Sequence, residues 1–143
     1  MAWLTGDVAR GKDLAQNILV KIYDKPHLYN PSRSFKTWLF SIARNNFKNE
    51  IRNEITRARH LKAGGSFLHS SLPEEEEPLV KKEILAQAMQ QLGENHREVI
   101  ILKYSNNLSI QEIGEILGCS EGTVKSRLFY AIRKLRNFIT ITI

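Results

Sequence analysis

The segment that most restricts the fold of this chain is a run near its middle without hydrophobic periodicity. Residues 63–78 are rich in Gly, Ser, Pro and Glu, and this composition is typical of a linker. It divides the 143 residues into two sections, each long enough to bury only a small core. We therefore predict two small domains, at residues 1–60 and 79–143, joined by a flexible linker at residues 61–78.

Both sections show the periodicity of amphipathic helices. Apolar residues recur at steps of three and four along residues 14–23 and again along residues 34–59, whereas no segment shows convincing strand alternation. The predicted apolar face of the first helix comprises Leu14, Ala15, Ile18, Leu19, Ile22 and Tyr23. In the second helix, Trp38 falls on the apolar stripe and is predicted to lie in the core. The chain is therefore predicted to be all-α.

Two further predictions concern the second section. Asn95 and Glu98 have the spacing of a capping pair at the start of a helix. Residues 138–143 alternate between apolar and polar, but without a partner strand we predict a frayed tail.

The charge distribution indicates a polyanionic partner. The net charge of +6 divides into +7 for residues 1–62, −4 for residues 63–78 and +3 for residues 79–143. A solvated helix face usually carries both positive and negative side chains. The polar face of the second helix is mainly basic, with Glu50 and Glu54 as its only acidic residues. That face comprises Lys36, Arg44, Asn45, Lys48, Asn49, Arg52, Arg57 and Arg59. Its composition favours nucleic acid.

Other classes of protein are disfavoured. The single cysteine, Cys119, excludes an internal disulfide framework and a Cys-rich zinc site, and fits a reducing cytoplasm. The four histidines lack metal-ligand spacing, and the acidic run at residues 74–77 is more typical of a linker than of a metal site. No glycine-rich phosphate loop is present and no apolar run is long enough to span a bilayer. We therefore expect no enzymatic activity, no cofactor, no metal and no membrane insertion.

The clearest local pattern, at residues 108–128, is that of a helix-turn-helix. Ser109 and Glu112 have the spacing of a capping box, and Ser120 can cap the second helix. Gly114 is predicted to permit a close approach of the partner helix, and Gly118 suits a left-handed turn. The predicted buried residues are Ile113, Ile116, Leu117, Val124 and Leu128. Basic and polar residues on the exposed face of the second helix suit the major groove of DNA, and Arg133, Lys134 and Arg136 suit phosphates.

At this point the sequence resembles a known family. The segment at residues 34–45, SFKTWLFSIARN, is preceded by Asp13-Leu14-Ala15-Gln16 and followed by Gly122-Thr123-Val124-Lys125-Ser126-Arg127-Leu128. These motifs resemble those of extracytoplasmic-function (ECF) sigma factors of the sigma-70 family, and the resemblance extends from Leu4 to Arg136. It implies a promoter-recognition subunit for bacterial core RNA polymerase, with an incomplete region 2 bundle and a four-helix region 4 domain.

The resemblance also implies roles for individual residues. Residues implied for the −10 element are Phe35, Lys36, Arg44, Asn45, Lys48, Asn49 and Arg52, and Asn45 matches the asparagine near the flipped base. Residues implied for the −35 element are Thr123, Lys125, Ser126, Arg127, Phe129, Tyr130 and Arg133, where Tyr130 replaces a frequent arginine. Residues implied for polymerase binding are Asp13, Leu14, Gln16 and Asn17.

The sequence departs from the family at its beginning. From the resemblance we expect the helix that normally precedes Leu4 to be missing, and Lys12 and Asn17 stand where acidic residues are usual in the family. We therefore expect region 2 to expose Leu14, Ile18 and Trp38. A dimer partner or an anti-sigma factor is expected to cover these side chains. The alternative function is that of a truncated sigma-like regulator, which binds DNA without activating polymerase.

Overall fold

The computed structural model describes residues 2–5, 7–61 and 79–143. These residues form helices and connecting turns, with no strand among them. The predicted all-α fold class is confirmed. The chain divides into two compact units, Met1–Leu72 and Pro73–Ile143. Most of the predicted linker, including the acidic run at residues 74–77, lies outside the described residues.

The described residues of the first unit form three α-helices and one 3-10 turn. Helix α1 spans Ala2–Thr5, α2 spans Val8–Asp24, the 3-10 turn spans Pro26–Leu28 and α3 spans Phe35–Leu61. Asp7 caps α2, since its carboxylate accepts a hydrogen bond of 2.8 Å from the backbone nitrogen of Ala9. Helix α3 agrees closely with the second helix predicted at residues 34–59.

The core of this unit is small and lies between α2 and α3. Leu14 (2% exposed), Ile18 (0%) and Ala43 are buried. The partly buried side chains packed against them are Leu4, Ile22, Leu39, Ile42 and Phe47. The expectation that Leu14 and Ile18 would be uncovered is wrong, because side chains from α1 and α3 already pack on them. Trp38, predicted to be a core residue, is half-buried.

Two members of the predicted apolar face of α2 lie outside this core. Leu19 is 63% exposed and Tyr23 is 86% exposed. The buried stripe follows Leu14, Ile18 and Ile22 at steps of four, and each of the two exposed residues follows one of these by a single position. One residue of an α-helix is a rotation of about 100°, which carries both side chains off the buried arc.

The second unit is a four-helix domain. Helix α4 spans Leu79–Gln90, α5 spans Glu94–Ile100 and continues as a π-helical turn over Ile101–Ser105, α6 spans Ile110–Leu117 and α7 spans Glu121–Thr142. All of these helices contribute to its buried apolar core, which comprises Ala88, Leu92, Val99, Ile100, Leu102, Leu108, Ile113, Ile116, Val124, Leu128 and Ala131.

Two predictions for this unit are wrong. Helix α5 begins at Glu94 after an extended Gly93 with no side-chain cap, so Asn95 is already inside the helix. The Arg97 side chain fixes this connection by donating hydrogen bonds of 2.9–3.2 Å to the carbonyl oxygens of Met89, Gln90 and Leu92. The tail is also helical, because α7 continues to Thr142 and the Thr142 hydroxyl bonds to the carbonyl of Phe138.

Candidate nucleic-acid interface

Helices α6 and α7 form the predicted helix-turn-helix, and both are capped by serine. The Ser109 hydroxyl accepts a hydrogen bond of 3.1 Å from the Glu112 nitrogen, and the Glu112 carboxylate accepts one of 2.8 Å from the Ser109 nitrogen. The Ser120 hydroxyl accepts a bond of 3.2 Å from the Thr123 nitrogen at the start of α7. The predicted capping box and the predicted cap are therefore confirmed.

The turn between these helices depends on two glycines. Gly118 has the left-handed conformation (φ 66°), and a Cβ atom on Gly114 would lie 2.8 Å from the carbonyl oxygen of Cys119. The Cys119 nitrogen donates a hydrogen bond of 3.0 Å to the Gly114 carbonyl. The prediction for Gly118 is confirmed, whereas the closest group to Gly114 is the backbone of the turn and not the partner helix, whose Glu121 nitrogen would lie 3.8 Å from the added Cβ atom.

Buried residues of α7 determine which of its side chains face outward. Val124, Leu128 and Ala131 are buried against the rest of the unit. The residues predicted for DNA that lie on the opposite, exposed face are Lys125, Ser126, Phe129, Tyr130 and Arg133. The rings of Phe129 and Tyr130 meet edge to face, with centroids 5.4 Å apart. The helix therefore presents two cations, a hydroxyl and an aromatic pair on one surface.

Thr123 and Arg127 occupy the edge of this surface. Both are half-buried. The Thr123 hydroxyl lies 3.0 Å from that of Ser120, and one guanidinium nitrogen of Arg127 lies 3.9 Å from the sulfur of Cys119. Both side chains therefore contact residues of the turn, Ser120 and Cys119, and are less exposed than the five residues named above.

Helix α3 carries the second predicted DNA surface. Asn45, Asn49 and Arg52 are exposed, and Arg44 and Lys48 are half-buried beside them. These five residues lie on one side of the helix, and Leu39, Ala43 and Phe47 lie on the other, packed in the core. The structure therefore brings together five of the six polar residues predicted for the −10 element, and Lys36 is not among them.

Phe35 and Lys36 are exposed at the beginning of α3, beside an aromatic cluster that the sequence did not indicate. The Tyr29 ring packs edge-on against Phe35 and Trp38, with centroids 5.6 and 5.0 Å away, and the Tyr29 hydroxyl donates a hydrogen bond of 3.0 Å to the carbonyl of Arg33. Tyr29 precedes the irregular segment before α3, where no periodicity applies. Its only sequence signal was an aromatic residue next to a Pro-containing turn.

Helix α2 presents three of the four residues predicted for polymerase binding. Asp13, Gln16 and Asn17 are exposed, and the apolar residue Val20 is exposed on the same side. Leu14 is buried beneath them, so the structure does not place it on the surface with the other three. Leu14 instead supports α2 from inside the core.

Neither a metal site nor a membrane-spanning helix is found in the part of the chain that the structure describes. Within residues 2–5, 7–61 and 79–143, no three His, Cys, Asp or Glu side chains are grouped so that they could hold a metal ion. In the same ranges, no helix is both long and apolar enough to cross a membrane.

The chain matches two family descriptions and a set of known proteins. Residues 1–56 match Sigma-70 region 2, and residues 88–137 match Sigma-70 region 4. The ECF RNA polymerase sigma factor SigL of Mycobacterium tuberculosis (strain ATCC 25618 / H37Rv) is 37% identical over 139 residues, covering 93% of this chain and 76% of SigL. SigM of Bacillus subtilis (strain 168), also an ECF sigma factor, is 32% identical, covering 93% of this chain and 82% of SigM.

Solved structures have the same fold. The sigma factor RpoE, in complex with the anti-sigma factor NepR from Bartonella quintana, superposes with a TM-score of 0.76 at 27% identity and covers 98% of this chain and 87% of RpoE. CnrH, in complex with the cytosolic domain of CnrY, gives a TM-score of 0.65 at 21% identity and covers 98% of this chain and 81% of CnrH.

Proposed function

The chain belongs to the sigma-70 family, in the group of ECF RNA polymerase sigma factors, and on this basis we propose how its two units act at a promoter. Residues 1–60 act as region 2, which binds core RNA polymerase and recognises the −10 element. Residues 79–143 act as region 4, which recognises the −35 element. Residues 61–78 join the two.

The observation that carries this proposal is the complete helix-turn-helix of the second unit. Its caps, its left-handed glycine and its buried stripe orient α7 so that Lys125, Ser126, Phe129, Tyr130 and Arg133 are exposed together. Such a helix fits the major groove, where side chains near its beginning reach base edges and later cations reach phosphates. We assign base contacts to Lys125 and Ser126, and a phosphate contact to Arg133.

We assign recognition of the −10 element to α3 and the segment before it. Unstacked bases of a melted strand need aromatic surfaces and hydrogen-bonding partners close to cations. Phe35 is exposed at one end of this surface, Asn45 and Asn49 lie further along α3, and Arg52 follows. This combination suits a single strand, and we assign Asn45 to the captured base.

Polymerase binding is assigned to the exposed side of α2. Asp13, Gln16 and Asn17 lie beside the exposed Val20, which gives a mixed apolar and polar docking surface. Because Lys12 and Asn17 replace residues that are usually acidic in the family, we expect electrostatics to contribute little to this contact. An anti-sigma factor is a further proposed partner, since the similar sigma factor RpoE was solved with one. The exposed Leu19, Val20 and Tyr23 also offer an apolar surface to such a partner or to a second copy.

We propose that the protein acts in the cytoplasm with polymerase and has no catalytic activity or cofactor of its own. The alternative function, a DNA-binding regulator that does not activate polymerase, requires that the exposed side of α2 does not bind core enzyme. Polymerase binding therefore separates the two functions.

The deciding experiment is reconstitution of the full chain with bacterial core RNA polymerase, followed by transcription from a promoter library. We expect co-elution with core and transcripts whose start sites share −10 and −35 sequences. DNA binding without co-elution would favour the alternative function. A variant with Gln16→Ala and Asn17→Ala is the matched control, because it changes the proposed polymerase surface and leaves α7 intact.

A further inference from the structure

A single guanidinium group joins the beginning of α2 to the second half of α3. Arg10 lies in the first turn of α2, which Asp7 caps, and it donates a hydrogen bond to one carboxylate oxygen of Glu54. Its guanidinium carbon also lies 5.9 Å from the centre of the Phe47 ring, which is within the range of a cation–π contact. Phe47 and Glu54 are seven residues apart, so they lie two turns apart on the same side of α3. Arg10 therefore bridges two turns of this helix.

The bridge lies where the packing of α3 ends. The α3 side chains that pack in the apolar core end at Phe47. Glu54 is the last half-buried residue before residues 55–60, which are all exposed. A helical segment with little tertiary packing is marginal in water and opens locally. The order of residues 48–61 therefore depends on the few contacts that hold this segment to α2, and the bridge is one of them.

Glu54 depends on this guanidinium more than an exposed carboxylate would. The paired side chains of Arg10 and Glu54 are 30% and 38% exposed, and an ion pair at such exposure usually contributes little by itself. The second carboxylate oxygen of Glu54, however, is buried and has no hydrogen-bond partner among the described residues. Loss of the cation would leave a carboxylate that water reaches from one oxygen only. This loss costs more than the loss of a fully solvated pair.

Part of the proposed −10 surface lies in the segment that Arg10 holds. Asn49 and Arg52 are exposed beyond Phe47, on the opposite side of α3 from the bridge. Asn45 precedes Phe47 and lies in the part of the helix that the core packs. Loss of the bridge should therefore disturb the segment that carries Asn49 and Arg52 and leave that of Asn45 in place.

We propose that Arg10 is a positioning residue for recognition of the −10 element. It keeps residues 48–61 helical and held against α2, so that Asn49 and Arg52 are ordered before DNA binds. A surface that is ordered in advance binds without the entropic cost of ordering it. If only a fraction of the molecules is ordered, the apparent affinity falls by that fraction. This inference rests on the proposed function of region 2.

Hydrogen exchange of the free full chain tests the positioning role. Arg10→Gln removes the bridge. Lys21→Gln is the matched control, because it also removes one positive charge from α2 and a hydrogen bond to α3, of 3.1 Å to Asn46. We expect Arg10→Gln to speed amide exchange at residues 48–61 about three- to tenfold and to leave exchange at residues 35–47 unchanged. Lys21→Gln should leave exchange in both segments close to that of the parent chain.

A conservative variant tests whether the charge is responsible. Arg10→Lys keeps a cation that can contact both Phe47 and Glu54, so it should recover most of the protection that Arg10→Gln loses. Equal acceleration of residues 35–47 and 48–61 by Arg10→Gln would show that Arg10 only stabilises the unit, and would overturn the proposal. No acceleration by Arg10→Gln, or no recovery by Arg10→Lys, would also overturn it.

Melting by the holoenzyme tests the connection to DNA. On a promoter recovered from the library, Arg10→Gln should slow open-complex formation about three- to tenfold and leave co-elution with core polymerase unchanged. Because Arg10 acts through the segment of Arg52, it should add little slowing to an Arg52→Ala chain and its full slowing to an Asn45→Ala chain. Permanganate footprinting measures these rates. Equal slowing in both chains, or normal melting despite faster exchange, would contradict the positioning role.

These tests also separate this inference from the proposed function. If the parent chain fails to bind core polymerase, the proposed function is contradicted, and hydrogen exchange of the free chain still decides whether Arg10 orders the second half of α3.

Discussion

A single missing methyl group at position 114 allows the helix-turn-helix to close. A Cβ atom there would lie 2.8 Å from the Cys119 carbonyl oxygen and 3.8 Å from the Glu121 nitrogen, both of which are backbone atoms. Moving that backbone costs about 1–3 kcal/mol, which exceeds the gain of about 1 kcal/mol in helix propensity. We expect Gly114→Ala to lower the unfolding free energy of the second unit by up to about 2 kcal/mol, measured by circular dichroism in urea.

Gly122→Ala is the matched control for this prediction. A Cβ atom at Gly122 would meet only the Ser120 hydroxyl oxygen, at 3.8 Å, and the residue lies in the first turn of α7. This substitution should leave stability unchanged or raise it by about 0.5–1 kcal/mol. Equal stabilities of the two variants would contradict the close approach at Gly114.

Asn45 allows a second prediction at the residue scale. Its side chain is exposed on α3 and lies opposite the core, so Asn45→Ala should change the unfolding free energy by less than about 0.5 kcal/mol. If Asn45 captures a melted base, the variant should bind core polymerase normally and form open complexes at least tenfold more slowly. Permanganate footprinting of the melted region measures this rate. Normal melting by the variant would refute the assignment of Asn45.

At the scale of elements, helix ends could be predicted where a local signal determines them. Ser109 and Ser120 cap their helices as predicted, since a hydroxyl before an apolar stripe has few better partners. Asn95 does not cap α5, because Arg97 fixes the preceding turn through carbonyl oxygens at the end of α4 and at Leu92. That contact joins two helices and has no sequence signature. The same reason applies to Tyr29, whose partners only the folded segment brings together.

The recognition helix α7 provides the third prediction. Lys125 lies near its beginning and Arg133 lies two turns later, and both are exposed. Lys125→Ala should reduce discrimination between cognate and altered −35 sequences by about 1–3 kcal/mol, because a base contact is lost. Arg133→Ala should weaken binding to all duplexes alike and reduce the salt slope by about 1. Competition binding with specific and random duplexes measures both effects. Equal losses on both duplexes for Lys125→Ala would contradict a role in base reading.

At the scale of the whole molecule, the chain consists of two units whose cores share no residue. Among the residues whose burial the structure describes, the first core has three buried apolar residues, Leu14, Ile18 and Ala43, whereas the second has eleven. Burial of apolar area is the main stabilising contribution, so the first unit is the less stable one. Hydrophobic periodicity could predict both sets of helices. It could not predict that Leu14 lies beneath the surface proposed for polymerase, because its burial depends on side chains of α1 and α3 that only the fold brings together.

The two units should therefore respond separately to mutation, and Leu14 tests this. Leu14→Ala removes one of the largest buried side chains of the first core and should cost about 2–5 kcal/mol. Both tryptophans, Trp3 and Trp38, belong to this section, so tryptophan fluorescence follows its unfolding. We expect a transition at lower urea concentration, a loss of polymerase binding in proportion to the unfolded fraction, and unchanged binding to a −35 duplex. Gln16→Ala, which alters an exposed side chain two residues further along α2, should keep the tryptophan transition and weaken polymerase binding about tenfold. A Leu14→Ala variant that stays folded yet fails to bind polymerase would restore Leu14 as a contact residue, and a parallel loss of −35 binding would show that the units do not fold separately.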